Sequence, residues 1–224
     1  MNLFLEFWLW ISDPAQWSGG AGIPTRLGQH VLYSAQALAL ATLIGVPVGL
    51  VTGHTGRGGF LTASIANFAR ALPTIGVLML VVIAVGIGVA PVMVALVALA
   101  VPPILVNTYE GVRGVDPQLK DAAQGMGMRG HEVLLKLELP VALPLILLGM
   151  RTAAIQVVST ATIAAYVGIG GLGRFIVDGQ ARREFDMVVG GSLLVVALAV
   201  LVTLMFYLLR RFLVAPGLRQ AAAK

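Results

Sequence analysis

The sequence predicts an all-α membrane protein that crosses the bilayer five times. Three observations lead there. The 224 residues are 58% hydrophobic and only 11% charged, whereas globular chains carry about 25% charged residues. Several apolar runs approach the ~20 residues a helix needs to cross the hydrocarbon layer. Glycine and proline fall inside those runs, which membrane helices tolerate because neighbouring helices satisfy the freed backbone groups. Cysteine is absent, so disulfides, thiol catalysis and thiolate metal sites are excluded. The net charge of +5 comes without a basic patch interleaved with aromatics, so nucleic acid is not indicated; in a membrane chain such an excess records orientation.

Residues 1–28 read as an N-terminal segment outside the spans. The run 1–11 holds Phe4, Phe7, Trp8 and Trp10; it is too short to span and suits a helix lying at the membrane interface. It has no basic leader or small-residue cleavage site, so it does not read as a signal peptide. Ser12–Gly28, polar and rich in glycine and proline, reads as a loop. Residues 29–214 form the transmembrane domain. Its first span is Val31–Val51, where Gly45, Pro47 and Gly49 permit close packing or a kink. HTGRGG (54–59) is a tight turn, and Phe60–Ala71, with Asn67 and Arg70, leads into a second span over Leu72–Gly88. Gly86, Gly88 and Pro91 mark a short turn before the third span, Val92–Val106. The polar loop 107–140 follows, then a fourth span over Val141–Tyr166 and a fifth over Met187–Leu209, with a tail at 215–224. No internal repeat or second domain is visible.

The loop 107–140 carries acidic, basic and glycine residues within an otherwise apolar chain. Asp116-Pro117 is a helix start, an acceptor side chain followed by a proline in the first turn. A short helix over Pro117–Gln124 is then ended by Gly125 and Gly127. A second helix, from Arg129 to Leu139, is stopped by Pro140. Ala122 and Ala123 have so little bulk that another surface can approach closely. The alternative is an ordinary polar connection between spans.

The stretch Asp121–Pro140, DAAQGMGMRGHEVLLKLELP, resembles the cytoplasmic coupling loop of the membrane subunits of ABC-type importers, which rests in a cleft of the ATPase. The resemblance implies that Asp121, Ala122, Ala123, Gly127, Leu137, Leu139 and Pro140 couple this chain to an ATPase. Asp121 stands where a glutamate is usual, and Leu137 where an isoleucine is. With this loop cytoplasmic, eleven of the fifteen Lys and Arg residues fall inside, which puts the N-terminus outside and the C-terminus in the cytoplasm. That is the layout of the type I ABC importer permease core, with 1–28 external and 215–224 a cytoplasmic tail.

Thr160–Gly173 reads TATIAAYVGIGGLG. Its end satisfies GxGxxG, but a dinucleotide site needs a strand before it and a helix after it, and here a membrane span precedes. Gly168, Gly170, Gly171 and Gly173 are better suited to a re-entrant turn covered by protein, part of an outer gate. Together with NTYEGVRGVDPQLKDAAQGMGM (107–128) and LELPVALPLILLGMRTA (137–153), this segment resembles permeases for osmoprotectants such as glycine betaine, choline and carnitine. The resemblance covers roughly residues 30 to 210 and implies a bacterial cell-membrane, multi-pass permease that works with a second permease, identical or sister. Some members carry a fused solute-binding domain after the last span; this chain ends at Lys224, so a separate extracytoplasmic binding protein is expected.

No GxxxxGK precedes a Ser or Thr here, and no lysine follows a glycine, so ATP and its magnesium belong on a partner ATPase; the chain is not expected to be an enzyme or to bind a cofactor. His30, His54 and His131 show no metal-ligand spacing. Asn67, Gln156, Ser159, Thr160, Thr162 and Tyr166 are candidates for the translocation path, since polar groups in spans face a bundle interior or cavity; Ser and Thr also serve as packing residues that bond their own helix. No aromatic cage for a quaternary ammonium is evident, so selection is expected in the binding protein. Arg182, Arg183, Glu184 and Asp186 either meet that protein or face lipid headgroups, and Arg210 and Arg211 anchor the last span. A permease for methionine or another small amine, and a self-contained channel or carrier, remain the alternatives.

Overall fold

The computed structural model describes residues 3–71 and 73–214, which are helices joined by short turns with no strand among them. Leu72, at the head of the expected second span, and the tail 215–224 with Arg219 and Lys224 lie outside the described residues, as do the side chains of Phe4 and Arg70. In order, the helices are α1 (Leu3–Ser12), α2 (Ile23–Thr55), α3 (Gly59–Ala71), α4 (Thr74–Val85), α5 (Val89–Arg113), α6 (Pro117–Gly125), α7 (Gly130–Val133), α8 (Leu139–Thr160), α9 (Gly173–Arg182) and α10 (Phe185–Leu213). Among the described residues, four helical stretches are long and apolar enough to cross a membrane: α2, α5, the continuous run Gly130–Val167, and α10.

The stretches differ from the expected spans for identifiable reasons. The loop expected over Ser12–Gly28 gives way to helix at Ile23, because Pro24 stands in the first turn, where its missing N–H is not needed. The second span, expected over Leu72–Gly88, is a helix of 12 residues, opened by Pro73 and closed by Gly86 at φ 88°. At 1.5 Å per residue it covers about 18 Å, short of the ~30 Å hydrocarbon layer. Pro91, expected in a turn, sits in the first turn of α5, and that helix runs on through Asn107–Arg113, the beginning of the expected loop. The amphipathic helix α9 stands where only a glycine-rich connection was expected; an Arg174–Asp178 ion pair four residues apart braces it.

Pro140 does not stop a helix. α7 passes through one π-helical turn, Leu134–Glu138, directly into α8. The Leu139 N–H bonds the carbonyl of Leu134, five residues back. This widening comes just where Pro140 has no N–H to offer and where its ring would crowd the carbonyl four residues earlier.

Two compact units emerge. One comprises Met1–Leu38, Pro73–Val97 and Ala154–Val202; the other comprises Ala39–Leu72, Ala98–Ala153 and Thr203–Lys224, so that α2, α5, α8 and α10 each contribute to both. The core of the first joins Trp10, Ile23, Leu172, Phe175 and Val195. Trp10 meets Phe175 edge-on, 5.2 Å between ring centroids. The N-terminal aromatic helix therefore turns Trp10 into protein, while Trp8 and Leu9 stay exposed. In the second unit, α2 lies very close to α5. Cβ atoms added at Gly49 and Gly53 would stand 2.6 Å from Thr108 Cβ and 2.7 Å from Val112 Cβ, and one at Gly45 would stand 3.0 Å from Ile104 Cγ2. Glycines four apart thus meet residues four apart, the close approach small residues allow in membranes. Val112 packs also with Ala142 and Ile146 of α8, with Val46 and Leu50 of α2 beside them.

Candidate functional site

The site begins with α6. The Asp116 carboxylate accepts from the Gln118 N–H at 2.8 Å, and Pro117 opens the first turn. At the other end, the Gly127 N–H bonds the Gln124 carbonyl and the Met128 N–H bonds the Ala123 carbonyl. These paired bonds form a Schellman closure, and Gly127 takes its left-handed residue at φ 89°. The helix end predicted at Gly125 and Gly127 thus has a specific geometry. Leu119 (50%), Met126 (74%), Asp121 and Ala122 are exposed, whereas Ala123 is buried. A helix of this length with an apolar exposed edge and no described element over it offers a surface to a partner.

The opposite side of α6 is held by charge. Lys120 Nζ lies 2.7 Å from Glu138 Oε1 and donates to the Val112 carbonyl at 3.2 Å. The other Glu138 oxygen meets His54 Nδ1 at 2.5 Å. A carboxylate only accepts, so Nδ1 carries the proton. Glu138 is 1% exposed, and both its oxygens are engaged. Burying a carboxylate is tolerable only with such pairing, and removing one partner of a buried pair costs about 3–5 kcal/mol.

Of the residues expected to couple, Leu139 packs beside Val112 and Ala142, Leu137 is half-buried, and Pro140 is exposed on α8. Between Leu137 and Leu139 stands Glu138, which the sequence reading passed over together with Lys120 and His54. The available signal was an acid inside the apolar run LLKLELP, since an ionisable group in such a setting needs a partner.

A second polar junction lies in the other unit. After α8 the chain tightens into a 3-10 helix, Ala161–Val167, closed by Gly168 in the left-handed region. His30 is fully buried; its Nδ1 accepts from the Leu172 N–H at 3.2 Å, so its Nε2–H donates to the Val158 carbonyl at 2.8 Å. Gln29 accepts from the Gly171 N–H at 3.0 Å, and Gly171, at φ 106°, lies against the His30 ring. Gly170 abuts Gln29, and Gly173 is buried on the Thr162 backbone. The chain thus turns at Gly168 and Gly171, and Gln29 and His30 clamp the turn. Among the path candidates, Gln156, Ser159 and Tyr166 are exposed, Thr160 is half-buried, and Thr162 spends its hydroxyl on the Ser159 carbonyl at 2.9 Å. Asn67 is exposed on α3, in the other unit.

Arg182, Glu184 and Asp186 line a cavity of about 390 Å³ together with Arg26, Arg174 and Asp178. Among the described residues, no group of His, Asp and Glu is placed to hold a metal.

Residues 45–219 match the family model of the binding-protein-dependent transport system inner membrane component, and the chain belongs to that family: it is an inner-membrane, multi-pass permease component of a bacterial ABC importer, not itself an enzyme. Within the family, it is 34% identical over 203 residues to the choline transport system permease protein OpuBB of Bacillus subtilis, covering 91% of this chain and 94% of that one. It is 31% identical over 202 residues to the glycine betaine/carnitine/choline transport system permease protein OpuCB of the same organism, covering 90% and 93%. Osmoprotectant import permease protein OsmW of Salmonella typhimurium is 33% identical over 201 residues, 85% of this chain and 91% of that protein. The fold is similar to a chain of the inward-facing MetNI methionine ABC transporter, with a TM-score of 0.75 at 22% identity over 91% of this chain and 100% of that chain.

Proposed function

We propose that this chain, paired with a second permease that is identical or a sister, lines the translocation path of an importer for an osmoprotectant such as glycine betaine, choline or carnitine. The observation that carries the solute class is the naming of the curated relatives, which spans choline, glycine betaine and carnitine over nine-tenths of the chain. The MetNI likeness, at 22% identity, supports the fold and does not favour methionine.

In this reading the chain crosses five times, α4 and its flanking residues making the second crossing, with 1–28 external and 215–224 cytoplasmic. A separate ATPase binds ATP and magnesium and seats α6 in a cleft. Asp121 and Ala122 lie at that contact; Ala123 and Gly127 shape the helix, and Leu137, Leu139 and Pro140 join it to α8. An extracytoplasmic solute-binding protein delivers cargo on the opposite side. The exposed edge of α6 supports this docking, because an apolar surface of that kind is stable against a partner and costly in water. The clamped turn at Gly168–Gly173 serves as an outer gate, and Gln156, Ser159, Thr160, Thr162 and Tyr166, with Asn67 further along, border the path. The exposure of Gln156, Ser159 and Tyr166 on a helical stretch long enough to span supports this, since polar groups are disfavoured against lipid.

The test is reconstitution in liposomes with the cognate ATPase and binding protein, following uptake of radiolabelled glycine betaine, choline, carnitine and methionine in turn. ATP-dependent uptake of one of the first three, and none from this chain alone, is expected. Uptake by the chain alone would overturn the importer reading, and uptake of methionine only would overturn the solute class. Ala122→Trp should abolish copurification of the ATPase.

A further inference from the structure

We propose that Lys120, Glu138 and His54 form the joint that passes displacement of α6 into the long helices, so that the charge on Glu138 sets how tightly nucleotide turnover is tied to transport. This rests on the reading of α6 as the ATPase dock and names the side chains that carry its motion. α6 is connected on either side by short turns, 114–116 and 126–129, each containing a glycine; such turns bend more readily than they push. A lateral link is needed, and Lys120 supplies it. Half-buried beside the exposed Asp121 and Ala122, it reaches the Val112 carbonyl in the last turn of α5 and the Glu138 carboxylate. Glu138 in turn holds His54 in the last turn of α2. One buried carboxylate thus gathers the ends of α2 and α5, the helix α6 and the start of α8.

Two physical points favour a moving joint over a plain staple. An apolar group of similar size would serve static stability as well as a buried ion pair does. What charge adds is attraction that falls only as the inverse of distance, so that the link holds while its partners shift. Glu138 also ends the π turn, a place where helices bend with little further loss of hydrogen bonding.

The test uses the reconstituted complex with its ATPase and binding protein, and reads the radiolabelled glycine betaine, choline or carnitine taken up per ATP hydrolysed. Glu138→Gln keeps the shape but removes the charge, and its single amide oxygen can accept from only one of the two donors, Lys120 and His54, that the carboxylate serves. It should copurify with normal amounts of ATPase, while solute moved per ATP falls about tenfold, the scale of a typical coupling energy. The double variant K120Q/E138Q leaves no unpaired charge and should match the wild type in thermal stability, yet stay poorly coupled; Lys120→Arg should retain coupling. If the double variant transports with the wild-type ratio, or if uptake and hydrolysis fall in proportion in E138Q, the joint is only structural and the proposal fails. Ala122→Trp separates the two readings. If it keeps its ATPase, the docking reading falls; if it loses it while E138Q remains fully coupled, only the present inference falls.

Discussion

Two polar junctions hold this permease's helices, and they use opposite chemistry. At α6 the link is ionic, Glu138 between Lys120 and His54. At the 168–172 turn it is neutral, with Gln29 and His30 receiving backbone N–H groups while His30 donates to the Val158 carbonyl. A hydrogen bond to a backbone amide is lost within half an ångström or so of stretching and tolerates little misalignment. An ion pair weakens by only about a third when its separation grows from 4 to 6 Å. The neutral clamp therefore specifies one geometry, and the ionic joint tolerates a range. A part that must hold a turn in register calls for the first, and a part that must bear displacement calls for the second.

The comparison can be broken most sharply at Lys120. Lys120→Met leaves the buried Glu138 carboxylate with His54 alone and should cost about 3 kcal/mol, seen as a lowered Tm of the detergent-solubilised chain; an unchanged Tm would mean the charge is not under load. His30→Phe keeps a ring there but removes the acceptor of the Leu172 N–H and the donor to the Val158 carbonyl. A loss of about 2 kcal/mol is expected, together with faster hydrogen exchange at Leu172; slow exchange would show that packing alone fixes the turn. Gly127→Ala meets no atom within 4 Å but is forced to φ 89°. It should cost about 1 kcal/mol, and a stability equal to wild type would show that α6 does not need its Schellman end. Smallest is Gly28→Ala, inside α2 with open space around it. A gain of about 0.5 kcal/mol in Tm-derived stability is expected from helix propensity, and a loss would reveal a partner at that face.

What could be read from the sequence followed the range of the interactions. The ends of α6 were legible because Asp116, Pro117 and Gly127 act on atoms a few residues away. The glycine turn before α9 was legible for the same reason, although its clamp was not, since Gln29 and His30 lie 142 residues from the amides they receive. Glu138 and His54 are 84 residues apart, and no local pattern joins them. The four long helices announced themselves by apolar length, yet α4 was overdrawn: the run Leu72–Gly88 is apolar enough, but Pro73 and Gly86 cut the helix to what lies between. Pro140 misled because its meaning depends on the turn before it. A proline ends a regular helix, and a widened one lets it through.

That widened turn has a consequence for every side chain beyond it. Successive residues of a helix are rotated by about 100°, so one surplus residue in the 134–138 turn acts as a phase slip: everything downstream points a quarter-turn away from where an unbroken count would put it. The orientation that leaves Gln156 and Ser159 uncovered, with Val157 and Val158 buried, is set some twenty residues earlier by that slip. Deleting a single residue there would restore the regular count, set the Pro140 ring against the carbonyl four residues earlier and turn the wrong face outward.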